Sequence, residues 1–156
     1  MSQTQPIVDL LYQKKSLFLQ FEQESEAMCF CPVDEIDLHM CERLKLQQKI
    51  QEIDEQLVPL YETVPGAAQA VAHASDRDTF SPDLAEVYDA SLSIKGVLNR
   101  ILLNEPTLME RVQLERSALL QKLEESRQSS SSVAQGYYKS MSTGHRPFLG
   151  PKITKA

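Results

Sequence analysis

Leu46, Ile50, Ile53, Leu57, Leu60 and Val64 follow one another in alternating steps of four and three. Only a helix brings such positions onto one line, because 3.5 residues is close to the α-helical turn and far from the two-residue repeat of a strand. A seam of this kind obliges the chain to find it a partner helix, either from its own sequence or from another copy. Carried backwards, the register passes through Ile36, His39 and Arg43, so that end is polar or shifts face onto Met40 and Leu44. Pro59 lies near the far end and is expected to kink or fray the last turn.

Helical periodicity extends on both sides. Ile7, Leu10, Leu11, Leu17, Phe18, Phe21 and Met28 fall within an arc of about 120° at 100° per residue, the stripe of a helix packed on one side. Pro6 suits its first turn, and Cys29-Phe30-Cys31-Pro32 ends it, with Pro32 able to open the next helix. Between Val64 and Ser81 the pattern dissolves into Pro65-Gly66, small residues and Ser75-Asp76-Arg77-Asp78, a linker that has room for a short helical turn through Ala67 to Ala74. Ser81-Pro82 then supplies an N-cap and a first-turn proline. Leu84, Val87, Tyr88, Ile94, Leu98, Ile101 and Leu102 form one stripe; Leu108, Met109, Val112, Leu119, Leu120 and Leu123 form another beyond Pro106. Residues 82–128 are therefore expected to be one helix kinked near Pro106, or two helices sharing an axis. The Ser129–Ser132 run is expected to end it.

The predicted fold is all-α: an antiparallel bundle or hairpin of three long helices, residues 1–128, followed by a flexible basic tail, residues 129–156. Composition agrees, since five glycines in 156 residues leave too few turns for a β-sandwich or a βαβ fold, and tryptophan is absent. The net charge of −6 speaks against a general nucleic-acid binder. It also conceals an asymmetry. The tail has no acid but contains Lys139, Arg146, Lys152 and Lys155, so it carries +4 and the rest of the chain −10. No apolar run approaches the ~20 residues of a membrane span. The polar Met1–Pro6 stretch lacks a signal-peptide layout, and Cys29 and Cys31 are too close to bridge comfortably, so a reducing cytoplasm is expected.

Little in the chain suggests chemistry. Cys29, Cys31, His39 and Cys41 are four soft ligands within 13 positions. Their spacing nevertheless departs from the usual C-x₂₋₄-C pairing, and residues 39 and 41 point to nearly opposite sides of a helix. No bound metal and no cofactor are expected. Cys41 and His39 have no oxyanion hole to work with, and the clusters Asp34/Glu35/Asp37 and Glu124/Glu125 suit solvated helix faces, so the chain is not expected to be an enzyme. In the tail, Tyr137-Tyr138-Lys139 and Arg146-Pro147-Phe148-Leu149 interleave aromatic and basic residues. Four charges are too few for strong binding to nucleic acid or membrane, which favours a short segment that orders on a protein partner.

The order of these elements resembles the FlgN-type export chaperones of the bacterial flagellar type III system. Leu10-Leu11-Tyr12-Gln13-Lys14-Lys15 looks like the family's opening helix, and Cys41-Glu42-Arg43-Leu44-Lys45 through Ile50 resembles its second. Leu103-Asn104-Glu105-Pro106-Thr107-Leu108 is similar to a family stretch in which Leu-Asn-Glu precedes a second polar residue and Leu. Here Thr107 stands where the family often has Asn, and Pro106 intrudes into what is usually continuous helix. The resemblance covers about residues 6–128 in layout. It implies a cytoplasmic chaperone that binds the C-terminal helical segments of hook–filament junction proteins, keeps them unassembled and delivers them to the export gate.

The helix after Pro106 is the natural donor of a covering stripe, with Leu108, Val112, Leu119 and Leu123 as cargo anchors and Glu110, Glu115 and Arg116 around the rim. Each anchor has an alternative place in the intramolecular core. The family's flexible segment docks at the export machinery with a tyrosine, for which Tyr137 and Tyr138 are the candidates. A coiled-coil adaptor or homo-oligomeric scaffold stays open beside this reading, with a homodimer through the Leu46–Val64 seam, as does a chaperone for a different secretion cargo.

Overall fold

Pro6 opens the first helix, α1 (Gln5–Phe30), where a missing N–H costs nothing. It ends at Cys31, whose backbone is extended as the residue before Pro32 must be. One turn of 3₁₀ helix, Val33–Glu35, leads into α2 (Ile36–Thr63). Gly66 adopts φ +84°, turns the chain and precedes the short α3 (Ala67–Val71). A second 3₁₀ turn, Arg77–Thr79, precedes the 60-residue α4 (Pro82–Met141). This computed structural model describes the backbone of residues 2–141 and the side chains of residues 2–130 and Gln135. Among the described residues there is no strand, and no helix is long and apolar enough to cross a membrane.

The chain divides into two units, residues 1–111 and 112–156, with the boundary inside α4. In the first unit, α1, α2 and α4 pack as an up-down-up bundle with α3 against one end. Ile7, Val8 and Leu11 of α1 share a core with Ile53 and Leu57 of α2, Ala67 and Ala70 of α3, and Val87, Ala90 and Ile94 of α4. Further along, Phe21 meets Leu46, Val97 and Ile101. The order of these two layers makes α2 antiparallel to α1 and α4, which run parallel to each other. Ion pairs clasp the helices from outside: Lys14 meets Asp54 at 2.6 Å, and Arg100 donates to both carboxylate oxygens of Glu22 at 2.9 and 3.0 Å.

The seam of α2 is buried within this chain. Leu46, Ile50, Ile53, Leu57 and Val64 are all inaccessible, and Leu60 is half-buried. Backwards it continues through Ile36 and Arg43 rather than shifting to Leu44, which is 63 % exposed. Two prolines are carried inside helices, and one local expectation needs correction. Pro59 lies inside α2, which runs on to Thr63. The proline is exposed, so the Glu55 carbonyl that loses its partner meets solvent. Pro106 is likewise exposed, and α4 passes through it as one helix, the first of the two arrangements expected there.

The serine run is where the expectation fails. The helix continues from Ser129 through Ser132 to Met141, because each serine costs only about 0.5 kcal/mol relative to alanine and extending an existing helix needs no new nucleus. Residues 142–156, with Arg146, Lys152 and Lys155, lie outside the described residues, as do the side chains of Tyr137 and Tyr138.

Candidate functional site

At the α1–α2 corner the bundle changes character. Arg43 continues the apolar seam as a nearly inaccessible cation. Its guanidinium lies 4.4 Å from the centre of the Phe21 ring, donates to Met28 Sδ at 3.6 Å and donates to Glu105 Oε1 at 2.5 Å. The other carboxylate oxygen of Glu105 is buried without a hydrogen-bond partner among the described residues. Arg111 donates to the carbonyls of Met28 and of Cys31, the latter at 2.6 Å. It thus places a cation where the last turn of α1 leaves carbonyls unpaired. His39 Nδ1 lies 2.5 Å from Glu24 Oε2.

Beside this polar layer a groove of about 450 Å³ lies between α1 and α4. Cys29 and Phe30 flank it on one side, Asn104, Thr107 and Leu108 on the other. Phe30 is 88 % exposed. Nothing in the periodicity marked this groove, since Phe30 falls off the apolar stripe of its own helix.

The four soft ligands do not come together. Cys29 and Cys31 are half-buried and Cys41 is exposed, all as free thiols. Cys31 faces the Met28 carbonyl at 3.9 Å, and His39 is engaged by Glu24. No group of three or more His, Cys, Asp or Glu side chains able to hold a metal ion occurs among the described residues.

The four anchors expected on α4 fall into two environments. Leu108 and Val112 are buried, at 1 % and 7 % exposure, whereas Leu119 and Leu123 are more than half exposed. Leu114 and Leu120 are exposed as well, so every leucine between residues 112 and 130 is open. Leu119, Leu120 and Leu123 span an arc of about 100° at 100° per residue. Of the expected rim, Glu110 and Arg116 are exposed and Glu115 is half-buried. The only ion pair described on this stretch is Arg127 with Glu124, one turn apart at 2.6 Å.

Charge divides along the same line as the two units. Residues 1–111 carry nineteen acidic and nine basic side chains, a net −10; residues 112–156 carry three acidic and seven basic, a net +4. Comparison of the chain with family models, with curated proteins and with solved structures gives no match.

Proposed function

We propose that the protein is an escort for helical segments of other proteins, a cytoplasmic chaperone of the FlgN type. In this reading it holds the C-terminal helices of flagellar hook–filament junction proteins and hands them to the export gate. One observation carries it: all four leucines of residues 112–130 stand open on a continuous helix. Covering Leu119, Leu120 and Leu123 removes enough apolar surface to contribute roughly 3–5 kcal/mol before the cost of ordering a partner. A second amphipathic helix is the cover that fits such a stripe. A scaffold that pairs chains through the Leu46–Val64 seam is less well supported, because that seam is already packed inside one chain.

The anchors of the proposed cargo site are accordingly Leu119, Leu120 and Leu123, since Leu108 and Val112 are already buried. Leu119→Asp and Leu123→Asp should abolish co-purification with junction proteins and leave the circular dichroism at 222 nm unchanged. Wild-type protein without measurable affinity for any junction-protein C-terminal helix would defeat the proposal.

A further inference from the structure

We propose that the helix taken up by residues 112–130 carries acidic side chains along the flanks of its apolar stripe. The inference rests on the escort reading and adds the chemistry of the partner. Arg116 lies inside the arc drawn by Leu119, Leu120 and Leu123, at 100° per residue, and Lys122 lies about 60° beyond its edge. Both are exposed, and neither has an ion-pair partner among the described residues. Arg127 also falls in the arc but is taken by Glu124, which stands about 40° beyond the opposite edge. Glu125 lies on the far side of the stripe, three residues from Lys122, where it accepts from Gln121 at 3.4 Å and makes no ion pair with Lys122 among the described residues. Glu115 shares the edge of Lys122 but sits two turns away, about 10 Å along the axis and a full screening length in physiological salt. The stripe therefore offers two open cations beside its leucines.

This pattern argues against the other covers. A second copy laid parallel on the same face would set Arg116 against Arg116; laid antiparallel with Leu120 on Leu120 it would meet Arg116 with Glu124, which Arg127 already holds, and would leave Lys122 unanswered. A membrane surface is a poor match as well. Three leucines without a tryptophan or phenylalanine make a shallow anchor, and the three acids and three bases of residues 112–130 cancel. A helix with glutamates at the positions bordering its own leucines satisfies both Arg116 and Lys122 while covering the stripe.

The test uses the full-length protein and two synthetic 21-residue peptides. Both have leucine at heptad positions a and d; one has glutamate at e and g, the other lysine. Binding is followed by fluorescence anisotropy at low and at physiological salt. The glutamate peptide should bind about tenfold more tightly, a preference that weakens as salt is raised. The R116E/K122E variant, checked for unchanged helicity, should reverse the preference. Equal affinity for the two peptides, or tighter binding of the lysine peptide, overturns the charge assignment and leaves the escort reading in place. Binding of neither peptide overturns both. Binding to phosphatidylglycerol vesicles in preference to either peptide assigns the stripe to a membrane and overturns the proposal.

Discussion

Breaking the Arg43–Glu105 contact should destabilise the bundle in a way that reveals pairing rather than packing. The two residues lie 62 positions apart and join α2 to α4 at 2.5 Å, with the Arg43 side chain 11 % and the Glu105 side chain 30 % exposed. Removing one member of a fully buried pair costs about 3–5 kcal/mol, chiefly because a charge is left buried alone. Partial exposure of Glu105 lets water reach the site, so about 1–3 kcal/mol is expected for Glu105→Leu, where Arg43 keeps only the Phe21 face and Met28 Sδ. Arg43→Leu should cost a similar amount by leaving a half-buried carboxylate whose second oxygen already lacks a partner. The double variant closes an apolar layer with Met28 and should recover at least about 1 kcal/mol of the summed losses. Urea unfolding followed at 222 nm measures all three. Single variants within about 0.5 kcal/mol of wild type, or strictly additive losses, would refute the assignment of Arg43 and Glu105 as one interacting unit.

Other expectations are simpler. Leu57→Ala, at a site 1 % exposed between α1 and α4, should cost about 2–5 kcal/mol in the same unfolding assay, whereas Leu103→Ala, at 79 % exposure, should change stability by less than about 0.5 kcal/mol. Gly66→Ala should cost about 1–2 kcal/mol, since its φ is +84° and a Cβ there would come 2.8 Å from Leu84 Cδ1. The Tyr61 phenol is pushed up to about 12, first by burial and then by the Asp54 charge. Its contribution to stability is therefore complete below the ordinary tyrosine value of 10.0 and is lost as pH rises from there toward 12. Absorbance at 295 nm should show a late-ionising tyrosine that Tyr61→Phe abolishes, together with that part of the alkaline destabilisation.

The helical architecture was legible wherever burial obeys periodicity. The α2 seam, the Pro6 and Ser81-Pro82 starts and the Cys31-Pro32 stop all stand where local chemistry places them. Periodicity overlooked Ala67, Ala70, Ala85 and Ala90, small side chains that are buried because helices approach closely there. It left open whether Pro106 divides α4, since whether a proline breaks a helix depends on which face it occupies, a tertiary fact. Arg43 was visible as an oddity in the seam, but its answer, Glu105, lies on another helix, and no short-range pattern links the two. On α4 the stripe was legible, yet the division between buried Leu108 and Val112 and open Leu119 and Leu123 is set by what packs against the helix.

The corner that joins α1 to α2 also sets how residues 1–111 come apart. Met28, Ile36 and Leu108 are buried there but belong to neither apolar cluster, and directional contacts from Arg43, Arg111 and His39 do the joining. Opening that end forfeits a few charged hydrogen bonds, while opening the other end forfeits an alanine-lined apolar layer. Amide hydrogens from Ser25 to Arg43 should therefore exchange through small local excursions, while those around Leu11, Leu57 and Val87 wait for global unfolding. Limited proteolysis should find its first cut in the bundle at that same corner.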